Sequence, residues 1–203
     1  DPTTRNSTKI NITLNGENPY ARTEMKNVAG NITATSLSPD GKRLAITARG
    51  EVFNVPATEG VTRNITRTSG AHERGAKWSP DGKYIAYISD RTGETEIWLQ
   101  GESGDPIQLT KGNDTYIRQL MWSPDSKKVL YTDRKNRIVE VTVDSKSKKV
   151  ITTEPNGEFY GVNYSPDSKW LTFTRSASNG MSVIYIRNLE TNKEYPVTEK
   201  WYS

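Results

Sequence analysis

Ser38-Pro39-Asp40-Gly41-Lys42 returns as Ser79-Pro80-Asp81-Gly82-Lys83, Ser123-Pro124-Asp125-Ser126-Lys127 and Ser165-Pro166-Asp167-Ser168-Lys169, at intervals of 41, 44 and 42 residues. Proline at the second position presets φ, and the Asp-Gly or Asp-Ser that follows favours a tight reversal of the chain. Apolar runs flank each copy: Ala76-Lys77-Trp78 and Tyr84-Ile85-Ala86-Tyr87-Ile88 around the second, Leu120-Met121-Trp122 and Val129-Leu130-Tyr131 around the third. Each copy therefore reads as the turn of a β-hairpin.

Two further strands follow in every unit. After Ile85–Ser89 come a polar turn at Asp90-Arg91-Thr92-Gly93, a strand at Glu96–Leu99, a Gly-rich turn and a strand at Pro106–Thr110. The other units repeat this with Leu44–Ala48, Glu51–Val55 and Arg63–Thr66; Val129–Thr132, Ile138–Val143 and Val150–Thr152; Leu171–Thr174, Ser182–Ile186 and Tyr195–Thr198. Four strands in roughly 42 residues, repeated with the same turn, are the pattern of propeller blades. A β-sandwich would not reuse one turn sequence at a fixed period. The expected fold is all-β, a β-propeller of about four four-stranded blades over 31–68, 69–111, 112–154 and 155–203. Residues 1–30 form an N-terminal segment in which Ile10–Leu14 resembles the outer strand of a preceding blade. Trp201-Tyr202-Ser203 sits where a connection to a next blade would begin, so the blades read as an arc of a six- or seven-bladed ring.

Composition is compatible with this. Hydrophobic residues are only 33% of the 203, but they cluster into short runs, and five Trp and ten Tyr argue against disorder. The mean hydropathy of −0.78 suits short strands between long polar turns. The net charge of +4 is dispersed, with the basic run Lys146-Ser147-Lys148-Lys149 at an expected hairpin tip, so no nucleic-acid footprint is evident. No apolar run approaches the roughly 20 residues of a membrane span, and no membrane insertion is expected. The absence of cysteine excludes disulfides and suits a prokaryotic cytoplasm or periplasm equally.

The Ser-Pro-Asp-Gly-Lys turns resemble the propeller repeats shared by the periplasmic Tol-system protein, the prolyl-oligopeptidase relatives and the tricorn proteases. Two stretches are more specific. Ala48-Arg49-Gly50-Glu51-Val52-Phe53-Asn54-Val55-Pro56-Ala57, followed by Arg63-Asn64-Ile65-Thr66, resembles the opening blade of the seven-bladed second propeller of tricorn proteases. Gly70-Ala71-His72-Glu73-Arg74 before Ala76-Lys77-Trp78-Ser79-Pro80 is similar to the same region, and Trp201-Tyr202-Ser203 to a later blade connection. The resemblance covers essentially the whole chain. It implies a parent serine protease that trims short peptides and a propeller module that channels peptides to or from a distant active site. The implied partners are peptides and the remaining domains of that protease. A stand-alone protein-interaction propeller, like the Tol-system protein, is the alternative.

No catalytic residues are expected in this chain. A Ser-His-Asp triad would have to use His72, the one histidine, which lies in a loop between blades, and no Gly-x-Ser-x-Gly elbow occurs. One His and no Cys cannot make a usual zinc site. The Asp of each Ser-Pro-Asp turn is accounted for by turn chemistry, so no metal or cofactor is expected. The five Asn-x-Ser/Thr triplets, at Asn6, Asn11, Asn31, Asn64 and Asn113, are explained by chance in a chain rich in Asn and Thr.

Topology sorts the loops. The Ser-Pro-Asp turns and the third-to-fourth-strand turns share one face. The second-to-third-strand turns and the blade connections share the other. That second face should gather Arg49, Arg74, Arg91, Arg118, Arg134 and Arg175 with His72, Tyr116 and Tyr160, a positive rim suited to a peptide carboxylate. Arg74 and Arg118 immediately precede inner strands and are the preferred pair, whereas Arg91 and Arg134 are expected to pair with their neighbours Asp90 and Asp133. The apolar faces of the first and last blades should favour self-association.

Overall fold

The structure, a computed structural model, describes residues 27–155, 157–176 and 180–198; the strand expected at Ile10–Leu14 and the connection at Trp201–Ser203 lie outside these residues. The described strands form four antiparallel four-stranded sheets in which every strand pairs with its sequence neighbours. The first comprises β1 (Ile32–Leu37), β2 (Arg43–Ala48), β3 (Glu51–Pro56) and β4 (Arg63–Asn64), and the second β5 (Glu73–Trp78), β6 (Tyr84–Thr92), β7 (Glu94–Gly101) and β8 (Ile107–Gln108). The third comprises β9 (Ile117–Trp122), β10 (Lys128–Asp133), β11 (Arg137–Thr142) and β12 (Lys148–Thr153). The fourth comprises β13 (Tyr160–Tyr164), β14 (Trp170–Ser176), β15 (Ser182–Asn188) and β16 (Glu194–Pro196). These are the blades read from the repeat.

The recurring turn is closed by its own side chains. The Ser38 hydroxyl donates to Asp40 Oδ1 at 2.7 Å and accepts the Arg43 N–H at 2.9 Å, while Asp40 Oδ1 also accepts the Lys42 N–H at 3.1 Å. The same three bonds recur around Ser79 and Asp81, Ser123 and Asp125, and Ser165 and Asp167. The hydroxyl bonds from Ser38 and Ser165 hold the Asp40 and Asp167 carboxyls below their usual range. The fourth turn residue has a left-handed φ, +71° at Gly41 and +73° at Gly82, but also +60° at Ser126 and Ser168, where a side chain costs strain. Both serines have a use for that side chain: Ser126 Oγ accepts the Asp81 N–H at 2.9 Å, and Ser168 Oγ accepts the Asp125 N–H at 3.2 Å. Each ties its turn to the turn of the preceding blade.

The outer strands of the first two blades are shorter than the sequence suggests, and a threonine is the reason. Thr66 and Thr110 leave the ladder, and their hydroxyls accept the N–H groups of Val52 at 3.1 Å and Ile97 at 2.8 Å in place of a backbone carbonyl. Thr198 does the same for Ile184 at 3.0 Å.

The core lies between blades. One cluster joins blades one and two through Ala45, Val52, Ala76, Ile85 and Tyr87. A second joins blades two and three through Ile88, Ile97, Leu99 and Leu109 against Leu120, Trp122, Val129 and Tyr131. A third joins blades three and four through Leu130, Ile138 and Ile151 against Leu171 and Phe173. Covering on both faces makes burial continuous rather than alternating in β6 (Ile85–Ser89) and β10 (Val129–Asp133). Ile97 and Leu109, covered by the third blade, are 0% and 2% exposed, whereas the corresponding Ile184 and Val197 of the fourth blade are 42% and 57% exposed.

Candidate functional site

Arg49 and Gly50 form a two-residue hairpin between Ala48 and Glu51, with φ of +54° and +78°. Two successive left-handed residues match the twist of the flanking strands. Glycine is required at the second for another reason: a Cβ on Gly50 would approach His72 Cδ2 to 2.9 Å. His72, exposed, lies against this turn and donates its backbone N–H to Asp90 Oδ1 at 2.7 Å. Asp90 is thus not the partner of Arg91. That expectation is corrected: Arg91 turns inward, donating to the Tyr87 hydroxyl at 2.9 Å and to the Ser89 hydroxyl at 3.2 Å, and lies 3.5 Å from Glu73. Its guanidinium stacks 4.4 Å from the Trp98 ring centroid. Glu73 is fully buried, its second carboxylate oxygen has no hydrogen-bond partner among the described residues, and burial raises its pKa.

The structure also corrects the pairing expected for Arg134. Asp133 accepts the Nε–H of Arg137 at 2.7 Å and the backbone N–H groups of Lys135 and Arg137, because its hairpin folds back over it. Arg137 and Lys135 in turn hold Asp114, whose pKa falls to about 2. Arg134 is left exposed, with its guanidinium 4.7 Å from the Tyr116 ring centroid. Arg74 approaches the same ring at 3.9 Å and donates to the carbonyls of Ile117, at 2.5 Å, and Arg118, at 3.3 Å, across the blade seam. Burial lowers the pKa of Arg74. Two guanidinium groups thus share one half-exposed tyrosine, and neither forms an ion pair among the described residues.

Arg118, expected beside Arg74 as the other half of the preferred pair, is bound to Glu158. Arg175 is occupied by Glu194 at 2.7 Å, by Glu154 at 3.3 Å and by the Thr152 hydroxyl, with Phe173 and Tyr185 against its guanidinium. Tyr160 is exposed at the start of β13. Of the proposed rim, only Arg74, Tyr116 and Arg134 come together, with His72 and Arg49 associated at the neighbouring turn.

Sequence reasoning missed a second feature on the opposite face. A cleft of about 880 Å³ opens between blades one and two beside the Ser-Pro-Asp turns. One wall carries Arg63, Asn64 and Arg67 of blade one, the other Glu102 and Asp105 of the β7–β8 turn, and the apolar lining includes Ile65, Trp78 and Ile85. Arg67 has a left-handed φ of +45° because the Asn64 carboxamide accepts the N–H groups of Thr66 and Arg67, each at 3.1 Å. At the next seam the Trp122 indole donates to the Lys77 carbonyl at 3.1 Å, but the corresponding Trp78 indole has no partner among the described residues. The two seams also differ at the turns, since Gly82 lacks the hydroxyl by which Ser126 reaches back. Only the pairing of two adjacent blades reveals this cleft, so no linear motif marks it. Among the described residues no cluster of His, Asp or Glu could hold a metal ion.

The comparisons agree with the four-bladed fold. A TolB-type protein of Agrobacterium tumefaciens is 26% identical with a TM-score of 0.65, over 85% of this chain and 63% of that one. A tricorn protease structure superposes with a TM-score of 0.75 at 14% identity, over 88% of this chain and 18% of that one. TolB from Acinetobacter baumannii gives a TM-score of 0.62 at 21% identity, over 82% of this chain and 43% of that one. The chain thus spans less than two thirds of the length of each of these proteins. Residues 32–203 match the model of the tricorn protease second β-propeller domain. With four blades of the expected topology and a family match over most of its length, this chain belongs to the family of tricorn protease second β-propeller domains.

Proposed function

We propose that this chain is the non-catalytic propeller part of a tricorn-type serine protease, an arc of a larger ring that guides or gates peptides on their way to the active site. The carrying observation is the Arg74–Tyr116–Arg134 group on the connection face, where two guanidinium ions lie against one aromatic ring and neither forms an ion pair among the described residues. A peptide carboxylate entering there would accept charge-assisted bonds from Arg134, while Arg74 holds the ring in place from below. The arc reading is supported by Ile184 and Val197, exposed at positions that a following blade covers elsewhere.

Arg134→Ala in the parent protease tests the reading without removing a backbone tie. It is expected to lower kcat/KM about tenfold, or 1.4 kcal/mol, for peptides with a free terminal carboxylate and to leave their amides unchanged. An equal effect on both would reduce Arg134 to scaffold. The present chain alone is expected to hydrolyse no fluorogenic di- or tripeptide.

The greater sequence identity to a TolB-type protein, 26% against 14% for the tricorn structure, favours a second reading as a stand-alone interaction propeller. The full reading frame separates the two: a PDZ-like and a Ser-containing catalytic domain belong to the first alone.

A further inference from the structure

We propose that the cleft between blades one and two is a second binding site, whose ligand is a short zwitterionic peptide with both termini free. The proposal rests on the reading of the module as a peptide-handling one. Its volume of about 880 Å³ falls within the roughly 300–1,000 Å³ typical of small-ligand sites. Its charges are divided by wall. Arg63 and Arg67 stand on the β4 side, Glu102 and Asp105 on the β7–β8 turn, and no ion pair joins any of the four within the described residues.

The other charged residues of the lining are already committed. Arg43 donates to the Asn54 side chain and carbonyl, and the carboxylates of Asp40 and Asp81 close their own turns. Arg67 is held toward this side by a strained backbone, φ +45°, that the Asn64 carboxamide enforces. Strain of this kind persists where the surroundings over-determine it, and it is common at ligand sites. A ligand with a carboxylate at one end and an ammonium at the other satisfies both walls at once. A simple anion or cation would meet repulsion from one of them. The peptide's middle would lie over Trp78, Ile65 and Ile85.

The test is a titration of the 203-residue chain with trialanine, N-acetyltrialanine and trialanine amide, followed by amide chemical shifts. Trialanine is expected to move the amides of 63–67 and 100–105, and capping either terminus to weaken binding about tenfold, the factor that 1.4 kcal/mol represents. The pair Arg63→Gln and Arg67→Gln should abolish sensitivity to C-terminal amidation. The pair Glu102→Gln and Asp105→Asn should abolish sensitivity to N-terminal acetylation. All four side chains are exposed, so both double variants should retain the wild-type spectrum elsewhere. Shifts confined to Tyr116 and Arg134 would overturn this site while leaving the proposed function standing. Shifts in the cleft that ignore both caps and all four substitutions would overturn the zwitterion assignment, and no shift anywhere would overturn both.

Discussion

Thr110→Val removes one oxygen and keeps the shape of the side chain. In the native chain the Thr110 hydroxyl accepts the Ile97 N–H at 2.8 Å and donates to Glu96 Oε2 at 2.5 Å. Thr110 and Glu96 are nearly inaccessible and Ile97 is fully so, so water cannot replace either bond. Leaving the Ile97 N–H unpaired costs about 1–3 kcal/mol, and the lost bond to a carboxylate about 1.5–3 kcal/mol. The added buried methyl returns roughly 0.8 kcal/mol, for a net loss of about 2–5 kcal/mol. Thr66 makes the same two bonds, to Val52 N–H at 3.1 Å and Glu51 at 2.6 Å, in a half-buried setting. Among the described residues Thr198 makes only the N–H bond, at an exposed site. Urea unfolding of the three Thr→Val variants should therefore rank Thr110 above Thr66 above Thr198, the last within about 0.5 kcal/mol of wild type. Equal losses at all three positions would show that the hydroxyls do not anchor the outer strands in proportion to burial.

The remaining predictions concern charge and packing. Because burial raises the Glu73 pKa above its unfolded value of 4.5, its contribution to stability is present below that value and is lost as pH rises through the folded pKa. Glu73→Gln should accordingly gain thermal stability relative to wild type between acid and neutral pH; a constant difference would refute it. Asp114 acts in the opposite sense: its pKa of about 2 means stability present above the unfolded value and lost as pH falls toward 2, an effect that Asp114→Asn should erase from an acid melt. Phe173, fully buried with its ring centroid 5.4 Å from that of Phe159 and 6.2 Å from that of Tyr185, should lose about 3–5 kcal/mol on change to Ala. Exposed Tyr160→Ala should lose about 0.5 kcal/mol or less.

The repeat made the sheets legible because the Ser-Pro-Asp turn encodes its own closure: the Ser38 bonds with Asp40 and Arg43, and the Asp40 bond with the Lys42 N–H, are all local. Strand ends were less legible, since Thr66 and Thr110 resemble strand residues until their hydroxyls displace the ladder. The arginines were least legible. Adjacency suggested Asp90 for Arg91 and Asp133 for Arg134, but hairpin geometry sends Arg91 to Glu73 and gives Asp133 to Arg137. Arg74 reaches carbonyls 43 and 44 residues away, a separation no local pattern encodes. The cleft is invisible for the same reason, as its walls come from separate blades.

The serines at the fourth turn position bear on how such blades can be shuffled. Ser126 and Ser168 each serve the blade before their own, by accepting the N–H of Asp81 and Asp125. A blade carrying this serine brings a clasp for whichever unit precedes it, and a blade carrying glycine, as at Gly82, brings none. Blade order is therefore not neutral even though every turn closes alike. Exchanging the second and third units would hand the clasp from one seam to another, and Gly82→Ser alone would graft it onto Asp40. The modularity visible in the repeat is directional: the second and third units are clasped by their successors, whereas Gly82 offers the first unit no such hydroxyl.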